Sequence, residues 1–347
     1  MRPTSRRTAA AVLLLPPLLL GLAAPVAADD GDGHSRDGHG HDGHPPDGRG
    51  LPDSYRLFGD LGGSQFEGID VVEHGRTFYV TETSGGEIHR GRLDHRATRV
   101  WLDEEDALED GRRTAVGIAT DRGDRVHVAG GDNRTQDGAP ADAPDFWVYD
   151  DDRELLAALR VPVDGPVFLN DVVIGPDGAA YVTDSTTPRI FRIAREHGDW
   201  TATLWSDAAG PIPQEPDTFG LNGIEVAPDG RSLVVGHSAA GQLWRFDLAT
   251  ATPTLVDTGD VDLTSADGLV VQGGTLVAVR NFPRVLTYLE LDRDAASAEL
   301  IAEVATDPDR VLTTADVVRG RLLLVDSQFE EDPPSRTSEV VVLPFGP

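Results

Sequence analysis

The 347-residue chain contains no cysteine. That absence excludes a disulfide framework, a thiol nucleophile and a thiolate metal site, so the fold must hold by packing and strand pairing. Aromatic residues are scarce, at 6%. Basic residues are outnumbered, 30 Lys+Arg against 59 Asp+Glu, for a formal net charge of −29. Such a chain repels nucleic acid and anionic membrane surfaces and attracts divalent cations. The one long apolar run, from Ala9 to Leu22, is interrupted by Pro16-Pro17 and is short for a membrane span. Turn formers are abundant instead, with Gly 38 and Pro 24 beside a 39% hydrophobic content. That mixture favours many short strands over long helices.

The N-terminus reads as a targeting segment. Arg2, Arg6 and Arg7 precede the apolar run, and Val26-Ala27-Ala28 offers small residues for cleavage, so residues 1–28 are expected to be a signal peptide and the mature protein to be secreted. Ser5-Arg6-Arg7 leaves general and twin-arginine export both open. This segment holds three arginines and no acids, so its removal takes the charge from −29 to −32. Residues 29–50, rich in Gly and Asp with His34, His39, His41 and His44, are expected to be a disordered linker, with weak metal scavenging as the alternative role.

Residues 51–347 carry a repeat. Leu169-Asn170-Asp171-Val172-Val173-Ile174 runs into Pro176-Asp177-Gly178 and a second apolar strand. Leu221-Asn222-Gly223-Ile224-Glu225-Val226 does the same through Pro228-Asp229-Gly230. Pro presets φ and Gly supplies the positive φ of each tight turn. Related units head their first strands with Glu67, Val116, Asn170, Asn222, Asp267 and Ala315, 45–54 residues apart, a length that suits a four-stranded blade. The expected fold is all-β, a six-bladed β-propeller. Ser54–Phe58 has no blade of its own, and the sixth unit lacks a fourth strand. The N-terminal strand is therefore expected to pair with the last blade and close the ring, leaving no open edge.

In a propeller the first strand of each blade lines the channel, so the six heads meet at one end. A single Asn or Asp beside Gly is an ordinary turn residue. Four oxygen-bearing heads at equivalent positions, Glu67, Asn170, Asn222 and Asp267, form an all-oxygen set that suits Ca²⁺, or another divalent cation such as Mg²⁺ or Mn²⁺. The ends of the second strands are expected to return to the same mouth with Glu82, Asp132, Asp184, His237, Arg280 and Asp326. His237 is a candidate proton shuttle, Arg280 and Asp184 are candidate substrate contacts, and His127, inside a strand, reads as structural.

Phe66-Glu67-Gly68, Leu169-Asn170-Asp171, Leu221-Asn222-Gly223-Ile224 with its Pro-Asp-Gly turn, and Asp267-Gly268-Leu269 resemble the senescence-marker-protein/gluconolactonase family of six-bladed propellers. The resemblance implies a channel cation, usually calcium, held by Glu67, Asn222 and Asp267, with Asn170 as ligand or substrate contact. It also implies Asp267 as general base or nucleophile in the hydrolysis of a lactone or related ester. Where sugar lactonases of that family carry an arginine, this chain has Val167-Phe168-Leu169; with Phe219 and Leu221 this points to a more hydrophobic ligand. The rival reading is a non-catalytic extracellular propeller with a structural calcium, binding a ligand or a protein. On either reading the protein is expected to be monomeric, to take a small molecule, and to engage neither nucleic acid nor, once mature, a membrane.

Overall fold

The computed structural model describes residues 50–347 apart from Glu73. The expected signal peptide, and all of the expected linker but Gly50, lie outside the described residues. Among the described residues the strands form six four-stranded antiparallel sheets, the blades of a six-bladed propeller. No helix among them is long and apolar enough to cross a membrane.

The inner strands are Phe66–Val71, Ile118–Thr120, Leu169–Ile174, Leu221–Val226, Ala266–Gln272 and Leu312–Val318. Their second strands are Thr77–Glu82, Val126–Ala129, Ala180–Asp184, Ser232–His237, Thr275–Arg280 and Arg321–Asp326. The second strands are covered on both faces and read as continuous apolar runs; all four residues of Val126–Ala129 are buried. Outer strands such as Ala298–Ala305 expose most of their residues. In the sixth sheet the outermost strand is Ser54–Phe58, which pairs antiparallel with Thr337–Pro344, Tyr55 opposite Val340 and Leu57 opposite Ser338.

The core is distributed. Six apolar clusters each fill the space between two neighbouring blades. Between blades six and one, Tyr55, Leu57, Leu323, Val325 and Val340 pack with Phe66, Phe78 and Val80. A propeller therefore has as many hydrophobic cores as junctions, and each blade depends on both neighbours.

Inner strands carry a β-bulge at their mouth end. In blade one Phe66 pairs with Glu82 and the next partners are Ile69 and Val80, so Glu67 and Gly68 stand outside the ladder. Blades three, four, five and six skip in the same way at Asn170-Asp171, Asn222-Gly223, Asp267-Gly268 and Thr313-Thr314. The bulge turns these residues toward the channel. It also corrects the sixth head: register places Thr313, not Ala315, in line with the others, because Ala315 lies beyond the bulge opposite Leu324.

Further along the channel, half-buried carboxylates lace blades together around a cavity of about 260 Å³. Asp316 accepts the Val71 N–H (2.6 Å), Asp70 accepts the Thr120 N–H (3.1 Å) and hydroxyl (2.6 Å), and Asp171 accepts the Ile224 N–H (3.0 Å). Glu225 joins them in the cavity wall. Burial pushes all four above the ordinary carboxylate range, Asp171 to about 7, and their mutual repulsion adds to this in Asp70 and Glu225. The folded protein thus keeps protons that the unfolded chain releases near pH 4, so this contribution to stability is full below about pH 4 and is lost as pH rises through about 7. In chelator, urea stability is expected to fall between pH 5 and pH 8, and Asp316→Asn to shrink that fall by roughly 1–3 kcal/mol. An equal or larger fall in the variant contradicts the assignment.

Candidate functional site

The bulges bring Glu67, Asn170, Asn222 and Asp267 together on the floor of a pocket of about 480 Å³ at the channel mouth. Each is nearly fully buried. Their backbones are held from the preceding blade. The Thr81 hydroxyl of blade one donates to the Val116 carbonyl of blade two, and the Thr183 hydroxyl of blade three donates to the Asn222 carbonyl of blade four (2.8 Å). The Thr313 and Thr314 hydroxyls of blade six both donate to the Glu67 carbonyl of blade one, at 2.9 and 2.7 Å. The glycines after the heads follow from the same contact. A Cβ on Gly68 would overlap the Val116 carbonyl oxygen, and one on Gly223 the Asp267 carbonyl oxygen. Asn-Gly here marks close approach of a neighbouring backbone rather than a turn.

The side-chain oxygens are left free of protein donors. Glu67 Oε2, Asn170 Oδ1 and Asn222 Oδ1 are buried and have no hydrogen-bond partner among the described residues. Asn170 spends its Nδ2 on the Ser185 hydroxyl (3.0 Å), which fixes the amide with its oxygen free. Asp267 Oδ2 accepts from Asn281 Nδ2 at 2.7 Å. Burial raises the Glu67 carboxyl well above its usual range, and the charges of Asp267 and Asp171 push it further. Burial also raises Asp267, against hydrogen bonds from Asn281 and Asn222 that favour its charged form.

Three orphaned oxygens and two carboxylates that hold their protons too tightly are costly in isolation and suit a hard divalent cation. Among the described residues no three His, Cys, Asp or Glu side chains are grouped to hold a metal. A cation here therefore depends on the amide oxygens of Asn170 and Asn222. Val116 supplies no oxygen from its side chain, and Thr313 uses its hydroxyl on the Glu67 carbonyl.

The second-strand residues are placed differently from the sequence expectation. Only Asp132 of the six lines the pocket. Asp184 is turned into its own loop, accepting the N–H groups of Phe168 (3.1 Å) and Thr186 (3.0 Å) and the Thr186 hydroxyl (2.7 Å). His237 accepts the Ala240 N–H at Nδ1 (3.2 Å) and buries an unpartnered Nε2, and burial depresses its pKa. Arg280 pairs with Asp262 (2.6 Å) and Glu303 (2.9 Å). Glu82 accepts the Gly85 N–H (2.6 Å), and Asp326 pairs with Arg310 (2.9 Å).

The reason is register. Asp184, His237 and Arg280 lie opposite Leu169, Leu221 and Ala266, the residues just before the heads. Opposed residues share a sheet face, so these side chains lie on the faces that Leu169, Leu221 and Ala266 turn into the cores between blades, not among the pocket lining. His237, Asp184 and Arg280, the expected proton shuttle and substrate contacts, thus lie outside the pocket lining. The residues one step later, Ser185, Ser238 and Asn281, reach the floor or wall of the pocket. That single step was the signal in the sequence that would have found them. His127 is a structural residue, hydrogen-bonded to Asp121 at 3.1 Å deep in blade two.

Fold and site define a six-bladed propeller with an oxygen-lined pocket at one channel mouth. The SMP-30/gluconolactonase/LRE-like region family matches residues 66–293, more than half of the chain, and the protein belongs to that family. No curated protein matches its sequence. Similar solved structures include a gluconolactonase from Xanthomonas campestris, at 17% identity and TM-score 0.54 over 84% of this chain and 91% of that one. Regucalcin from Agrobacterium tumefaciens, described as a calcium-binding protein, matches at 17% and 0.55 over 84% and 95%. The Malassezia sympodialis allergen Mala s 1 matches at 13% and 0.61 over 84% and 96%. Identities this low establish the fold alone.

Gly223→Ala tests the backbone contact behind the site. The added methyl must displace the Asp267 carbonyl or the Leu269 backbone. A loss of about 3 kcal/mol is expected in urea unfolding, at the upper end for an overpacked site. A loss below about 0.5 kcal/mol, the range of ordinary surface changes, would show that the junction yields.

Proposed function

We propose that this is an exported, divalent-metal-dependent hydrolase that opens a lactone or related ester at the channel mouth. The observation that carries the reading is the set of three buried oxygens without partners, on Glu67, Asn170 and Asn222, beside Asp267. Membership of the family and the gluconolactonase among the similar structures support the reaction class. The calcium-binding description of regucalcin supports the choice of ion. Export is proposed from the arginine-led apolar segment of residues 1–28 and would be read by N-terminal sequencing of the mature protein.

Glu67, Asn170, Asn222 and Asp267 would hold the cation, calcium ahead of magnesium or manganese. A cation there supplies charge stabilisation to the ester carbonyl oxygen. Asp267 takes one proton of the attacking water as its oxygen bonds to the carbonyl carbon, and returns that proton to the alkoxide as the ester C–O bond breaks; an alcohol and a carboxylic acid result, and the acid releases its proton to solvent as the carboxylate forms. Asn281 orients Asp267 through the hydrogen bond to Oδ2. Asn170, steadied by Ser185, is a ligand or a substrate contact.

A second reading, a non-catalytic binding propeller with a structural ion, draws on the withdrawal of His237 and Arg280 from the pocket. Turnover separates the two. After chelation, added Ca²⁺ is expected to raise Tm, and Asn222→Ala to abolish that rise. Asp267→Asn is expected to cut kcat on a lactone panel by about 100-fold or more. If no lactone or ester turns over with Ca²⁺, Mg²⁺ or Mn²⁺, the catalytic reading fails and the binding reading stands.

A further inference from the structure

The wall above the oxygen floor is aromatic. Phe168, Phe219, Phe282 and Phe329 line the pocket, from the loops of blades three to six. Phe219 is 52% exposed and Phe282 49%, with Phe168 and Phe329 half-buried. Phe168 and Phe219 meet edge to face at 5.0 Å between ring centroids. A cluster of exposed phenyl rings at a pocket rim leaves apolar surface in water that a ligand can cover.

The rest of the wall carries no positive charge. Among the described residues no arginine or histidine lines the pocket, and the chain contains no lysine. Its charged groups are Glu67, Asp132 and Asp267, with uncharged donors such as Gln65 and Gln136 between them. An anionic substrate would find no counter-charge on the wall. A polyhydroxylated ring would press its hydroxyls against phenyl faces that cannot hydrogen-bond them.

We propose that the site takes neutral lactones or esters bearing an apolar substituent, a medium-length alkyl chain or an aryl ring. The ester sits at the floor and the substituent lies among the four phenylalanines. This rests on the hydrolase reading above.

The test is a γ-lactone series with side chains from hydrogen to octyl, run beside glucono-δ-lactone on the calcium-loaded protein. kcat/KM is expected to rise about three- to fourfold per added methylene until the rim is filled. Phe219→Ala with Phe282→Ala, its folding checked by Tm, is expected to lower the ratio of octyl to unsubstituted lactone by about tenfold. Preference for glucono-δ-lactone, or an unchanged ratio in the double variant, overturns the proposal while leaving the hydrolase reading intact. If nothing is turned over, the hydrolase reading fails, and calorimetric binding of the octyl lactone decides the ligand class. Binding weakened about tenfold by the double variant supports it; no binding overturns it.

Discussion

At three blade junctions the carbonyl of one head residue, Val116, Asn170 or Asp267, presses against the glycine after the head in the blade before it. Space for that carbonyl is made by glycine, as at 68 and 223, and hydroxyl donors reach head carbonyls from Thr81, Thr183, Thr313 and Thr314. The position of each head is therefore set by its neighbour as much as by its own blade. This is how a chain without a single cysteine gathers Glu67, Asn170, Asn222 and Asp267 from four separate sheets on one pocket floor. The carbonyls bonded across junctions and the apolar clusters between blades together tie each blade to its neighbour. The outermost strand of blade six, Ser54–Phe58, adds backbone pairing between the first and last strands of the described residues.

The channel divides its carboxylates into two kinds. Those further from the mouth, Asp70, Asp171 and Asp316, spend their oxygens on N–H groups of neighbouring inner strands. Each has a backbone partner across a junction, and their cost is that of burial, with charge repulsion added in Asp70 and Asp171. Those at the mouth, Glu67 and Asp267, stand among amide oxygens that accept nothing from the protein. Both kinds sit in a strongly acidic chain, so the field of the whole molecule favours a cation in the channel without specifying where. The choice between the ends is made by partnering: lone pairs already used by backbone donors are poor ligands, while orphaned ones are available.

The repeat was legible because its signals are local. Apolar alternation, Pro-Asp-Gly turns and the heads Glu67, Asn170, Asn222 and Asp267 recur at blade spacing, and the structure gathers those four heads on one floor. What the sequence hid was register. Ala315 is preceded by two threonines, and nothing local says which of the three faces the channel; only the bulge opposite Leu324 and Asp326 assigns Thr313. The same one-residue ambiguity moved attention to Asp184, His237 and Arg280 instead of Ser185, Ser238 and Asn281. In a period-two strand that slip exchanges the two faces completely. Chemically conspicuous side chains drew the reading toward the buried face, where a carboxylate caps its own loop and an arginine joins two acids.

The aromatic rim and the oxygen floor also act on one another. A charge–dipole interaction strengthens as water is removed, and four phenyl groups above the floor remove water more completely than a polar rim would once a ligand bridges them. On the proposed hydrolase reading, apolar recognition at the rim and polarisation at the floor would be coupled through solvent exclusion: a ligand that failed to cover Phe219 and Phe282 would leave the floor wet and its carbonyl weakly polarised. In such a pocket the substituent far from the reacting bond influences the rate as well as the affinity, because the environment of the reacting bond is completed by the part of the molecule that does not react.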